Sequence, residues 1–138
     1  MVDQLSIVVY SGTVDKLLSV AILASGAVAM DTKVDLFVTF YGIHAFSKEG
    51  VKSNSKFGAD FPEMAPMLTQ KLKEKNVPSW HEMLKEAKKS GTVKVHACST
   101  ACEVLDVKKD DLDPIVDDIV GVGNYLAEAS QSSITLFI

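Results

Sequence analysis

Hydrophobic residues fall into short continuous runs that are separated by longer amphipathic stretches. Leu5 to Tyr10 and Val34 to Phe40 are apolar and rich in β-branched residues, a pattern typical of strands buried in a parallel sheet. The nearly uncharged stretch between them, which ends at Met30, predicts a helix with Thr13 as its N-cap. A strand, a helix and a second strand in this order form a βαβ unit.

The second half of the chain continues this alternation with shorter elements. Val93 to Ala97 predicts a third strand, which places Cys98 at its carboxyl end and leads into a short helix from Ser99 to Leu105. Further strands are predicted at Ile119 to Val122 and Ile134 to Ile138. Further helices are predicted at Glu63 to Lys75, Ser79 to Ser90 and Asn124 to Ala129, with Ser79 as an N-cap because Glu82 follows in capping-box position. We therefore expect one α/β domain over residues 1–138, a three-layer Rossmann-like fold with a mostly parallel five-stranded sheet.

Residues 48–62 interrupt this alternation. The segment is polar, contains Gly, Ser, Asn and Pro, and shows no periodicity, so it predicts a long loop. It contains few apolar anchors beyond Val51 and Phe57. We expect the loop to be mobile or to take its order from a neighbouring subunit.

Composition and charge narrow the range of functions. Of 138 residues, 47% are hydrophobic, and 14 basic against 18 acidic residues leave a net charge of −4. This balance argues against a nucleic-acid partner, which needs a concentrated positive surface. The longest nearly uncharged run, residues 17–30, is shorter than the about 20 apolar residues of a membrane-spanning helix. Residues 1–4 lack a signal-peptide pattern, so we expect no membrane span and a cytoplasmic location.

The carboxyl ends of the predicted strands form the expected binding rim, because ligands of open α/β sheets bind there. No G-x-G-x-x-G, P-loop or G-x-S-x-G pattern occurs at the rim, which argues against dinucleotide binding, nucleotide hydrolysis and serine esterase chemistry. The candidate substrate-binding residues at this rim are Gly12, Thr13, Tyr41, Gly42, His44, Ser99 and Thr100.

Two cysteines near the third strand carry the candidate chemistry. Cys98 lies between a strand end and a predicted helix, where unpaired N–H groups favour an anion and can make the thiol reactive. The alternative interpretation is that Cys98 is a small buried hydrophobic residue. Cys102, four residues later, shares its helix face and is either a resolving thiol or a core contact. A zinc site with His96 lacks an evident fourth ligand, so no metal and no cofactor are expected.

Four segments of the chain, in this order, resemble the DsrE/DsrF sulfur-relay family, more narrowly its soluble branch related to sulfur oxidation. They are LSIVVYSGTVDKLLSVAILASGAVAMDTKVDLFVTFYGIHAF, EKNVPSWHEML, ACSTACEVL and VGVGNYLAEASQSSITLFI. The resemblance covers nearly the whole chain. It implies a Rossmann-like homo-oligomer in which a cysteine after the third strand, here Cys98, carries sulfane sulfur. Many relatives have methionine where this chain has Cys102, which supports Cys98 as the carrier.

The resulting hypothesis is sulfur transfer. Cys98 would accept a sulfane sulfur or thiosulfonate group, as in thiol–disulfide exchange, and pass it to an acceptor thiol, while the rim residues cradle the adduct's negative charge. The resemblance implies a TusA-like carrier, a rhodanese-type sulfurtransferase or a heterodisulfide-reductase-like system as partner. A sulfurtransferase and a stoichiometric carrier need the same thiol, so both stay open.

The alternative hypothesis is a non-enzymatic oligomeric regulatory or scaffold protein whose cysteines are structural. A thiol peroxidase ranks below it, because the Thr-x-x-Cys arrangement of peroxiredoxins is missing.

The residues themselves, apart from the family resemblance, also predict a homo-oligomer. The apolar strand at 136–138 and a helix face of small residues offer more apolar surface than one small domain covers, the small residues being Ala21, Ala24, Ala27 and Ala29.

Overall fold

The sheet contains five parallel strands in the order β4-β3-β2-β1-β5. They are β1 (Gln4–Val9), β2 (Lys33–Val38), β3 (Val93–Cys98), β4 (Asp118–Val120) and β5 (Ile134–Phe137). This computed structural model describes residues 3–138. The first two strands are β-branched and aliphatic on the face that meets the helices, which is why they lie near the centre of the sheet. The predicted α/β fold with a five-stranded parallel sheet is confirmed.

Helices cover both faces of the sheet. They are α1 (Val14–Ala29), α2 (Tyr41–Ala45), α3 (Lys48–Ser53), α4 (Met64–Glu74), α5 (Trp80–Lys88), α6 (Ser99–Val104) and α7 (Val122–Ala129). The long helix α1 packs against α5, and the two lie on one face of the sheet with β2 and β3 beneath them. The opposite face is covered by α7, which contacts β1 and β2. No helix in residues 3–138 is long and apolar enough to cross a membrane.

Local signals in the sequence fix several helix ends. Ser79 accepts a hydrogen bond from the Glu82 N–H and so caps α5 as predicted. Thr13 is the N-cap residue of α1, but its side chain makes no capping hydrogen bond. Four helices are followed by residues that tolerate the left-handed backbone conformation, and these residues are Asp31, Asn76, Gly91 and Asp106.

The predicted long loop at residues 48–62 is in part wrong. Residues 48–53 form α3, whose N-cap Ser47 accepts a hydrogen bond from the Gly50 N–H. The helix spans only six residues, too few for the sequence to show a helical period. The residues after α3 bind the β1–α1 connection of their own chain, because Asn54 donates to the Gly12 carbonyl at 2.7 Å and the Lys56 carbonyl accepts from the Val14 N–H at 2.6 Å.

The small-residue face of α1 does not form the exposed surface that the sequence suggested. Ala21, Ala24 and Ala27 are buried in the core, where their small side chains let the helix approach the sheet closely. Ala29, the last residue of the helix, is exposed. The exposed apolar surface of α1 and its C-terminal end comes instead from large side chains, namely Ile22, Leu23 and the C-cap residue Met30.

Candidate functional site

Cys98 lies where β3 ends and α6 begins. It is the last residue of the strand and the N-cap of the helix, and its Sγ accepts a hydrogen bond from the Ala101 N–H at 3.5 Å. Its side chain is a free thiol, and only 7% of the residue is exposed. An N–H group that points at a sulfur favours negative charge on that sulfur. The position therefore places a nearly buried free thiol, with an N–H group facing its sulfur, at the carboxyl edge of the sheet.

Cys102 lies one helical turn further along α6 and differs from Cys98 in its surroundings. It is also a free thiol and is 3% exposed. Burial raises the pKa of the Cys102 thiol, and the nearby Cys98 raises it further. The Cys102 thiol is therefore protonated at neutral pH, as expected of a core contact.

Ser99 and Thr100 form the first turn of α6 beside Cys98. Ser99 is half-buried and Thr100 is exposed. The connection that follows β4 comes close to this turn, since a Cβ built on Gly121 would lie 3.9 Å from the Ser99 Oγ. The predicted residues Ser99 and Thr100 therefore share the rim with Cys98.

The other predicted rim residues lie after β2 and β1, which are one and two strands away from β3 in the sheet. Gly12, Thr13, Tyr41 and His44 line a cleft of ≈ 510 Å³, and Cys98 is not among its lining residues. Gly42 is buried and does not line this cleft. The predicted site is thus divided into a thiol at the end of β3 and a cleft at the ends of β1 and β2.

Two glycines allow the connections after β1 and β2 to touch. A Cβ on Gly12 would lie 2.5 Å from the Tyr41 carbonyl oxygen, and one on Gly42 would lie 2.6 Å from the Val9 carbonyl oxygen. Both distances are shorter than any real contact, so another residue would push the connections apart. Gly12 and Gly42 therefore shape the cleft through their lack of a side chain.

Phe40, between β2 and α2, has an uncommon backbone conformation, with φ 45° and ψ −115°. A non-glycine residue in this region costs about 1–3 kcal/mol and persists where its surroundings hold it. The Phe40 ring lies 5.5 Å from the Tyr10 ring, which also contacts Tyr41 and Phe137. These four aromatic residues form one wall of the rim.

His96 bonds two carboxylates, and the sequence analysis did not predict this network. Its Nε2 lies 2.9 Å from Asp35 Oδ1, and its Nδ1 bonds Asp118. The hydrogen bond that the His96 ring donates to the Asp35 carboxylate is the main cause that raises the pKa of His96 to about 9, helped by Asp118 and opposed by burial. Protonated His96 therefore links β2, β3 and β4, because each of its ring nitrogens donates a hydrogen bond to a carboxylate.

A signal for this network exists in the strand patterns. β3 alternates apolar Val93 and Val95 with polar Lys94 and His96, and β2 places Asp35 among apolar residues after its first residue. Period-two alternation predicts one polar face. The pairing itself depends on the sheet register, in which Phe37 lies opposite His96 and His96 opposite Asp118.

A sequence model of the DsrE/DsrF/DrsH-like family matches this chain over residues 2–67 and 61–137. The chain belongs to this family. The resemblance to the DsrE/DsrF family that the sequence segments indicated is thereby confirmed.

Two relatives of the DsrE-like chain are similar to it over nearly their whole length. The uncharacterized protein YrkE of Bacillus subtilis is 34% identical, with 96% of this chain and 95% of the relative covered. The sulfur carrier protein DsrE2 of Allochromatium vinosum is 28% identical, with 98% of each chain covered. Family membership and the likeness to a sulfur carrier support a role in sulfur relay.

Solved structures share the fold of this DsrE-like chain. The ychN protein of Escherichia coli superposes with a TM-score of 0.65 at 14% identity, and 99% of each chain is covered. The protein MTH1491 of Methanobacterium thermoautotrophicum, whose function is unknown, gives a TM-score of 0.61 at 13% identity with the same coverage. At these identities the likeness concerns the fold alone.

Proposed function

We propose that this DsrE-like chain is a cytoplasmic sulfur-transfer protein in which Cys98 binds the transferred sulfur. The observation that carries the proposal is the position of Cys98 at the carboxyl end of β3, with its Sγ facing the Ala101 N–H. In parallel α/β sheets this end of the strands is where ligands bind. Cys102 is more buried and its thiol pKa is raised, so it supports the fold around Cys98.

The loading step follows thiol–disulfide exchange. The Cys98 thiolate attacks a sulfane sulfur of a polysulfide, a new S–S bond forms, and the shortened polysulfide leaves with the electron pair of the broken S–S bond. With tetrathionate, the same attack leaves a thiosulfonate group on Cys98 and releases thiosulfate. Neither reaction needs a metal or an organic cofactor.

The unloading step is the same exchange in the opposite sense. An acceptor thiolate attacks the adduct sulfur that is bonded to the Cys98 Sγ, a new S–S bond forms on the acceptor, and the Cys98 thiolate leaves with the electron pair of the broken Sγ–S bond. The acceptor would be a cysteine on a protein partner, such as a TusA-like carrier, a rhodanese-type sulfurtransferase or a heterodisulfide-reductase-like system. The chain acts as a carrier if it delivers sulfur stoichiometrically. It acts as a sulfurtransferase if it is loaded and unloaded repeatedly between a donor and an acceptor.

Intact-mass spectrometry after exposure to polysulfide or tetrathionate tests this assignment. We expect the wild-type chain and Cys102→Ser to gain one adduct, and Cys98→Ser to gain none. Serine is a good N-cap, so Cys98→Ser keeps a hydrogen-bond acceptor for the Ala101 N–H and should fold. An adduct that persists in Cys98→Ser and disappears in Cys102→Ser would refute the proposal, and equal labelling of both thiols would favour a paired-thiol mechanism.

We also propose that the chain forms homo-oligomers through the edge of the sheet at β5. An apolar groove of ≈ 380 Å³ runs between α1 and β5, and its rim carries the exposed side chains of Ile22, Met30 and Ile134. Phe137 on β5 is 69% exposed. Unpaired edge strands and apolar patches favour self-association. A monomer in light scattering at micromolar concentration would contradict this proposal.

A further inference from the structure

The cleft at the ends of β1 and β2 has the dimensions of a small-molecule site. Its volume is ≈ 510 Å³, within the range of about 300–1,000 Å³ that ligand pockets occupy. It is bounded by the β1–α1 connection, by α2 and by the residues that follow α3. Cys98 does not line it, so the cleft is a place separate from the thiol.

Basic side chains line this cleft without carboxylates to balance them. Lys16, His44 and Lys56 line it, and no Asp or Glu does so among the described residues. Neither lysine takes part in an ion pair within residues 3–138. The cleft is therefore positively charged in a chain whose net charge is −4.

Asp15, the residue before Lys16, is turned to other partners. Burial acts to raise its pKa, but hydrogen bonds, among them one from the Gly58 N–H, together lower the pKa below its ordinary value. The Gly58 N–H lies 3.0 Å from Asp15 Oδ1. The Asp15 carboxylate thus holds the segment after α3 in place and does not pair with Lys16.

The remaining wall of the cleft is aromatic. Tyr10 and Tyr41 both line it, with their ring centroids 5.7 Å apart in an edge-to-face arrangement. Tyr41 is 65% exposed, so its ring offers an open surface. A flat ring of a ligand can stack on such a surface.

The cleft is already formed in the free chain. The Asn54 side chain donates to the Gly12 carbonyl at 2.7 Å, and the Val14 N–H donates to the Lys56 carbonyl at 2.6 Å. These bonds fix the backbone of Lys56 against the start of α1, which also carries Lys16. A preformed site loses less free energy to ordering when a ligand binds.

We propose that this cleft binds a small organic anion that joins a flat ring to a phosphate-type group. The doubly charged oxyanion would lie between Lys16 and Lys56, since lysine ammonium groups bind phosphate as point charges. The ring would stack on Tyr41. This inference is independent of the sulfur chemistry at Cys98 and holds whether or not that thiol carries sulfur.

Adenosine 5′-monophosphate, adenosine and inorganic phosphate are suitable probes, because they separate the ring from the anion. Binding to the full chain is measured by titration in NMR spectra of the labelled backbone amides. We expect the nucleotide to shift amides of the β1–α1 connection, of α2 and of residues 53–56. Adenosine and phosphate should each bind at least about tenfold more weakly, as expected when 1.4 kcal/mol of interaction is missing.

A matched pair of double variants tests the role of charge. Lys16→Gln/Lys56→Gln should weaken nucleotide binding about tenfold or more, whereas Lys71→Gln/Lys75→Gln, which removes the same charge from exposed positions of α4 and its end, should not. Equal binding of adenosine and the nucleotide would overturn the proposal. Equal loss in both double variants, or amide shifts outside the cleft, would overturn it as well.

Discussion

The two faces of the sheet are built from different residues. On the face that packs against α1 and α5, the three central strands present only buried aliphatic residues, which are Leu5, Ile7, Val9, Val34, Leu36, Val38, Val93, Val95 and Ala97. The opposite face, covered in part by α7, carries Ser6, Asp35, Lys94, His96 and Asp118. One sheet therefore combines a face that stabilises the fold with a face that carries polar groups beside Cys98.

This difference shows how each face contributes to stability. Burial of the aliphatic face depends little on pH, since it removes apolar surface from water. The other face depends on charge, because Asp35 is only 6% exposed and is bonded to the His96 imidazolium. Its contribution therefore changes with the protonation of His96.

Leu36→Ala should give the largest loss of stability. Leu36 is fully buried on the aliphatic face, so we expect its truncation to lower the free energy of unfolding by about 2–5 kcal/mol. Leu126→Ala is the matched control, because Leu126 on α7 is 58% exposed. Urea titrations of both variants measure the effect. Similar losses of unfolding free energy in the two variants would show that burial on the aliphatic face does not account for the effect of Leu36→Ala.

His96→Gln should give a smaller loss that depends on pH. The folded-state pKa of His96 is raised from 6.5 to about 9, chiefly by Asp35, so the protonated form stabilises the folded chain. This stabilisation is fully present below pH 6.5 and is lost as the pH rises through about 9. We therefore expect the difference in unfolding free energy between wild type and His96→Gln to shrink across that interval.

The variant His96→Gln also provides the control for other titrating groups. The pKa values of Cys102 and Tyr125 are raised by burial, and both groups ionise in alkaline solution. Their contributions are common to wild type and variant and cancel in the difference. A difference that stays constant or grows with pH would refute the account of the polar face.

The parts of the fold that depend on local sequence were predictable. β1, α1 and β2 follow from continuous apolar runs and a nearly uncharged helical stretch, and the N-cap Ser79 follows from its position three residues before Glu82. The six-residue helix α3 was missed, because it is short and its stability comes from the Ser47 cap and from contacts around Gly50.

The candidate site was predictable only where it lies at a strand end. Cys98 and the residues after β1 and β2 follow from the rule that ligands bind at the carboxyl ends of parallel strands. Lys56 reaches the cleft through contacts between distant parts of the chain, such as Asn54 with Gly12, 42 residues apart. The pairing of Asp35 with His96 spans 61 residues and depends on the strand register. The polar face of the strands has a local signal in the alternation of β3, but neither of these long-range contacts has one.

The most direct test of the central claim, that Cys98 both accepts and releases sulfur, follows a single sulfur atom through one transfer. The wild-type chain is loaded with polysulfide, freed of excess reagent and mixed with reduced glutathione, and both products are trapped by alkylation and weighed by mass spectrometry. We predict that the protein loses the mass of one sulfur atom while glutathione persulfide appears in equal amount, in Cys102→Ser as in wild type. Sulfur that remains on the protein, or that leaves as sulfide with formation of a disulfide between Cys98 and Cys102, would contradict this account.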